Sequence, residues 1–121
     1  MLQHALRELP NECCGVLVGR NQMIERAVPM RNSEPSPDTY IMDPEEQIAL
    51  FREMEKTGEQ LLGIYHSHPN GPAEPSALDL QLAFHPDALY VVISLASHSN
   101  PEIRGFFRTE NGFVEAPLNI V

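Results

Sequence analysis

Gln60-Leu61-Leu62-Gly63-Ile64-Tyr65-His66-Ser67-His68-Pro69 is followed six residues later by Pro75-Ser76-Ala77-Leu78-Asp79. The segment Gln60 to Tyr65 reads as a strand, and residues two apart on a strand share a face, so His66 and His68 point the same way. Ser76 stands where a helix N-cap would, with Asp79 three residues on, in the first turn. A strand end and a helix start that converge on one point place two imidazoles and a carboxylate around one ion. Three protein ligands leave the fourth tetrahedral position to water, the catalytic rather than the structural pattern for zinc. Each half has a plainer reading by itself, since His-x-His is common on strands and Ser-x-x-Asp is often only a capping box. The two together, at this spacing, are far harder to reach by chance.

The whole string resembles the signature of the JAMM (MPN-type) zinc metallopeptidases. That resemblance implies that His66, His68 and Asp79 hold a single Zn²⁺. Upstream, Pro10-Asn11-Glu12-Cys13-Cys14-Gly15-Val16-Leu17-Val18-Gly19 is similar to the Pro-x-Glu-x-Cys-Gly-x-Leu-x-Gly segment of the bacterial and archaeal members. On that match Glu12 takes the role of the catalytic glutamate, accepting a proton from the attacking water and delivering it to the leaving amine. The resemblance also makes Ser76 the residue that assists the oxyanion. The alternatives are a solvated Glu12 in a helix-to-strand turn and a Ser76 that only caps its helix. For Ser76 both roles are compatible, because a hydroxyl accepts from a backbone N–H and still donates. Weaker likeness to the prokaryotic pattern continues through Asn32-Ser33, Tyr40 and Asp43-Pro44, so the match runs from about Pro10 to about Ser94.

The 121 residues, 42% hydrophobic and 21% charged, fit one globular domain over 1–121. No apolar run approaches the ~20 residues of a membrane-spanning helix, and no signal peptide is visible. Seventeen acidic against eight basic residues give a net charge of −9, and Lys56 is the only lysine. Such a surface repels a phosphate backbone, so nucleic acid is not an expected partner. The adjacent pair Cys13 and Cys14 makes a poor disulfide and no secreted-type scaffold. A reduced, cytoplasmic protein follows as the expectation, with both thiols as buried small hydrophobes at the start of a strand.

Leu2, Ala5, Leu6 and Leu9 form one stripe of a short helix ended by Pro10. Strands are expected at Gly15 to Arg20 and Met23 to Met30, joined by a turn at Asn21-Gln22, and a brief one at Tyr40-Ile41-Met42. Asp43 caps the next helix, with Pro44 at its first position, Ile48, Phe51 and Met54 as its apolar stripe, and Gly58 as its stop. A helix from Ala77 to about Phe84 puts Leu78 and Leu82 in the core. Strands at Leu89 to Leu95, Ile103 to Thr109 and Phe113 to Leu118 complete the chain, with Asn111-Gly112 turning the last hairpin. His4, His85 and His98 fall outside the signature and are expected at the surface.

This order of elements predicts an α/β sandwich about one sheet. The resemblance implies the MPN fold, a cytidine-deaminase-like mixed central sheet flanked by helices. Deaminase chemistry is excluded, because neither His-x-Glu nor Pro-Cys-x-x-Cys is present. The activity implied is that of a zinc metallopeptidase or isopeptidase acting after the C-terminal glycines of a ubiquitin-like or sulfur-carrier protein. Two alternatives are a non-catalytic MPN scaffold and a phage-tail or cell-wall peptidase of the same superfamily. The intact ligand set disfavours the first, and the lack of a signal or wall-binding module counts against the second.

Overall fold

Three strands buried almost end to end build the centre of the molecule. They are β1 (Cys14–Arg20), β3 (Gln60–His68) and β4 (Leu89–Ser94), whose runs of Val, Ile and Leu suit a sheet covered on both faces. The computed structural model describes residues 1–76, 79, 85, 87–97 and 99–118. Around that centre lie β2 (Met23–Met30), β5 (Glu102–Thr109) and β6 (Gly112–Ala116), giving one six-stranded sheet in the order β2-β1-β3-β4-β5-β6. All neighbours are antiparallel except β3 and β4, which run parallel. A parallel pair needs a crossover, and the chain from Pro69 to Ala88 supplies it. The crossover starts at the carboxyl end of β3, where the two signature histidines stand.

One face of the sheet carries Cys14, Val16, Val18, Ile64 and Tyr90, packed against Leu50 and Met54 of helix α2 (Pro44–Thr57). Cys13, Leu17, Tyr65, Val91 and Ile93 line the other, under Ala5 of helix α1 (Leu2–Arg7). Gly15 is needed between them, since a Cβ there would run into the Tyr65 ring. Asp43 caps α2 by accepting from the Glu45 N–H at 3.2 Å, and Gly58 ends the helix at φ +77°, as its sequence predicts. The Asn21-Gln22 turn has both residues at positive φ, 54° and 62°, the left-handed pair that matches hairpin twist.

Several expectations need correction. Tyr40-Ile41-Met42 is not a strand; only an isolated bridge, Asn32 to Met42, forms there. The stripe of α2 is turned from the one expected. Leu50 and Met54 face the sheet with Phe51 beside them, while Ile48 is 52% exposed. The Gln47 side chain donates to the Met42 carbonyl at 3.0 Å, which places the start of the helix and so which positions meet the core. His4 is buried, not at the surface, because its Nδ1 pairs with the Tyr65 hydroxyl at 2.9 Å. A phenol inside a core needs a polar partner, and Leu6 turns outward in its place. His85 is half-buried, and His98 lies outside the described residues. So does the expected helix from Ala77 to Phe84, with Leu78 and Leu82, apart from Asp79, which is helical. Cys13 and Cys14 are free and buried, and burial pushes their thiols up to about 11 and about 12. That makes them inert at neutral pH.

Candidate active site

His66 and His68 close β3 and project from the same face, as alternate strand residues must. Their Nε2 atoms are 3.1 Å apart. Asp79 Oδ2 lies 3.1 Å from His66 Nε2 and 3.0 Å from His68 Nε2, so three ligating atoms form a small triangle. A capping box aims the aspartate. The Asp79 N–H donates to Ser76 Oγ at 3.0 Å, and the Ser76 N–H donates to Asp79 Oδ2 at 2.8 Å. His68 Nδ1 sits 2.9 Å from the Pro72 carbonyl. A carbonyl only accepts, so Nδ1 carries the proton and Nε2 turns its lone pair toward the triangle. Burial works to raise Asp79, but the hydrogen bonds of both histidines hold its carboxyl well below the ordinary range. For His68 burial lowers the pKa, yet Asp79 and the Pro72 carbonyl outweigh it and the net shift is upward.

The donor set fits zinc. Tetrahedral coordination at about 2.0–2.1 Å separates ligand atoms by roughly 3.3–3.4 Å, only slightly wider than the triangle found. Two imidazole lone pairs and a carboxylate oxygen facing one point repel one another unless a proton or a cation lies between them. The Irving–Williams order and the borderline nitrogen and oxygen donors admit other divalent metals too.

Glu12 comes in from the turn before β1. It is 2% exposed, and its Oε1 is buried without a partner among the described residues. The ligating atoms of Glu12, His66 and His68 lie within 4.8 Å of one another. Glu12 thus lies beside the histidine pair, whereas Asp79 Oδ2 is within hydrogen-bond distance of both. Burial raises the Glu12 carboxyl to about 8; His68 opposes that shift, and Asp79 and Asp38 add to it. A second unpartnered atom is His66 Nδ1. The His66 ring is held instead by Tyr40, with centroids 4.9 Å apart and planes tilted 30°.

A groove of about 410 Å³ passes the site, walled by Pro37 and Asp38 on one side and by Pro69, Pro72 and Pro75 on the other. Glu12, His68 and Ser76 open into it. A larger hollow of about 610 Å³ lies near Ile24, Leu61, Leu89 and Phe107, residues at the opposite end of β3 and β4, with Asp87 the one ionisable group among the described residues that line it. Those three candidate site residues border the smaller groove and not the larger hollow. All five residues singled out in the sequence (Glu12, His66, His68, Ser76 and Asp79) therefore meet in one place. Sequence reasoning missed the supporting cast of Ser67, the Pro72 carbonyl and the stacked ring of Tyr40. Tyr40 and Asn32 had a faint signal as parts of the flanking pattern, and Pro72 had none.

Comparison with known proteins agrees with this geometry. The family model for prokaryotic homologs of the JAB domain matches residues 1–109. The CysO-cysteine peptidase of Mycobacterium tuberculosis is 41% identical over 123 residues, covering 100% of this chain and 84% of the relative. A probable TtuB-protein conjugate cleaving protease from Thermus thermophilus is 46% identical over 81 residues, covering 66% of this chain and 54% of that protein. Among solved structures, a JAB1/MPN domain protein from Archaeoglobus fulgidus superposes with a TM-score of 0.66 at 20% identity, covering 99% of this chain and 89% of the other. The fold is thus the JAB1/MPN fold, and the chain belongs to the prokaryotic JAB-domain family.

Proposed function

We propose that this protein is a zinc-dependent peptidase that hydrolyses the bond after the C-terminal glycines of a sulfur-carrier or ubiquitin-like protein. The observation that carries the reading is the triangle of His66 Nε2, His68 Nε2 and Asp79 Oδ2, beside which Glu12 lies buried with its Oε1 unpartnered among the described residues. His66, His68 and Asp79 would hold the ion. Zinc bound there would supply Lewis acidity, making a water acidic enough to attack at neutral pH and polarising the scissile carbonyl.

The chain's own residues do the rest. Glu12, held out of bulk solvent, takes the proton of the attacking water and passes it to the departing amine. Burial raises this carboxyl in the metal-free protein, and a cation bound beside it would draw its pKa back down toward the range in which it can both accept and return a proton. The Ser76 oxygen already accepts from the Asp79 N–H, which leaves its hydroxyl hydrogen for the developing oxyanion. The proline-walled groove suits an extended, small-residue tail better than a bulky one. Reduced Cys13 and Cys14 fit a cytoplasmic setting, and no described helix is long and apolar enough to cross a membrane.

The relative named as a CysO-cysteine peptidase matches along the whole of this chain, which favours release of an amino acid from a carrier over cleavage of an isopeptide bond. The test offers the zinc-loaded protein two substrates. One is a sulfur carrier extended by cysteine past its diglycine, and the other is the same carrier joined to a lysine side chain. Mass spectrometry should show loss of the cysteine from the first, and Glu12→Gln should keep its zinc yet release nothing. Cleavage of the lysine conjugate alone would move the protein to the isopeptidase branch, and cleavage of neither would remove this reading.

A further inference from the structure

The Glu12 carboxylate has a demanding position and nothing that holds it by its own atoms. Its Oε1 is buried without a partner, and among the described residues no hydrogen bond reaches the carboxylate. Its aim is therefore set by the backbone, and the backbone at Glu12 and Cys13 is tied four times. The Glu12 N–H donates to the Ser36 carbonyl at 2.7 Å, and Asn32 Nδ2 donates to the Glu12 carbonyl at 3.2 Å. Next door the Cys13 N–H donates to Ser67 Oγ at 2.8 Å, and the Ser67 N–H returns a bond to the Cys13 carbonyl at 3.2 Å. Two of these four ties come from side chains.

Ser67 stands between the two histidines but points to the opposite face of β3, where it is fully buried. It meets neither groove nor triangle, only the Cys13 end of the turn that carries Glu12. Asn32 approaches from the other side and has every capacity of its amide in use. Its Nδ2 also donates to the Thr39 carbonyl at 3.3 Å, and its Oδ1 accepts from the Glu34 and Ile41 N–H groups at 3.2 and 3.0 Å. One amide thus folds the loop that carries Pro37 and Asp38, a wall of the groove, and tethers Glu12 to it.

We infer that Ser67 and Asn32 are positioning residues that aim Glu12 at the histidine pair through its backbone, Ser67 from the strand and Asn32 from the groove wall. The inference rests on Glu12 being the base. It also gives Cys13 a purpose that needs no thiol chemistry, because its amide is the point of attachment. An error of about 1 Å in such a group costs on the order of 10²-fold in rate, and loss of a supporting partner typically costs 10- to 100-fold.

The test compares Ser67→Ala, Ser67→Thr and Asn32→Asp with Glu12→Gln, using a sulfur carrier extended by cysteine as substrate. Asn32→Asp keeps the acceptor of the Glu34 and Ile41 N–H groups and loses the donor shared by the Glu12 and Thr39 carbonyls. Ser67→Ala and Asn32→Asp are expected to keep about one zinc and to lose roughly 10- to 100-fold in kcat with KM little changed. Ser67→Thr, which retains the hydroxyl, should recover most of the rate. In the metal-free parent the Cys13 amide should resist hydrogen exchange as the core of β1 does, a readout that still decides if Ser67→Ala does not fold. Full kcat in folded Ser67→Ala and Asn32→Asp beside an inactive Glu12→Gln would overturn the inference alone, as would fast exchange at Cys13. An active Glu12→Gln would instead overturn the assignment of the base, and this inference with it.

Discussion

Two carboxylates beside one pair of imidazoles are pushed in opposite directions by their surroundings. Asp79 has two imidazoles and a backbone N–H on one oxygen and stays ionised, whereas Glu12 has burial and no partner and is raised to about 8. Environments that drive two acids apart divide them into roles, in the proposed function a ligand and a proton carrier. The raised group has a consequence for stability in the absence of metal. An unfolded Glu12 ionises near 4.5, so the folded state binds the extra proton between there and about 8. Its contribution is fully present below the unfolded value and is lost as pH rises through the folded one. Asp79 acts the other way, contributing above its ordinary pKa and failing only in strong acid, outside this window. His68 also contributes less as pH rises, and because Glu12 is among the groups that raise it, Glu12→Gln weakens that loss as well. In chelator, Glu12→Gln should therefore gain on the parent as pH rises from about 5 to about 8.5, by on the order of 2–4 kcal/mol at the upper end. Denaturant unfolding across that range measures it, and parallel stability curves for the two proteins would show that Glu12 is not desolvated as the fold implies. The five candidate site residues, which the fold brings together, could be picked out in the sequence because the proposed ligand chemistry leaves few substitutes. Ser67 could not, since a serine between two histidines looks the same whether it points to solvent or to a core amide.

At the scale of elements, the site hangs on how one strand ends and one helix begins. Elements with end signals were readable: Asp43 and Pro44 start α2, Gly58 stops it, and Asn21-Gln22 turns the first hairpin. What a helix faces was less so. The stripe of α2 is settled by Val16, Val18 and Tyr90 on the sheet beneath it, and the spacing of Ile48, Phe51 and Met54 carried no knowledge of them. His4 is a like case, polar by type and buried because Tyr65 lies under α1. Ser76 separates the two jobs an element end can have. If it serves only as the cap, Ser76→Ala should cost about 0.5–2 kcal/mol of stability and leave the rate of the folded protein nearly intact. If its hydroxyl also donates to the oxyanion, kcat should fall on the order of 10²–10³-fold while substrate affinity changes little, because that bond strengthens only as charge develops. Ser76→Thr, keeping the hydroxyl, should regain part of the rate. The expected outcome is the second, and kinetics set beside thermal melts of the same samples decide it. A variant that melts earlier but turns over at the parent's rate would reduce Ser76 to a cap.

Over the whole molecule, the sheet order β2-β1-β3-β4-β5-β6 explains why the site is where it is. Only β3 and β4 run parallel, so the chain must leave the carboxyl end of β3, cross over and return. Open α/β sheets bind their ligands at such ends. This order was not legible in the sequence, since strand periodicity gives faces but not neighbours. Pairing depends on contacts such as Cys14 with His66 and Ser94 with His68, far apart along the chain. The proposed metal would join parts that meet nowhere else in sequence: the end of β3 through His66 and His68, and the crossover through Asp79. A ligand that binds only the assembled triangle stabilises the fold by mass action, about 2.7 kcal/mol at a free concentration 100 times Kd. For a chain of this size that is roughly 10 °C in Tm. Zinc added to chelator-treated protein should raise Tm by about that much. His66→Ala and His68→Ala should each lose most of the shift, because two ligands and a water hold zinc far less tightly than three. Glu12→Gln should keep it if, as proposed, Glu12 serves the water rather than the ion. Calorimetry on the four proteins, with and without zinc, is the measurement. A Tm indifferent to zinc in the parent, or an equal rise in both histidine variants, would mean that the triangle is not the metal site, and the reading of His66, His68 and Asp79 as its ligands would have to be given up.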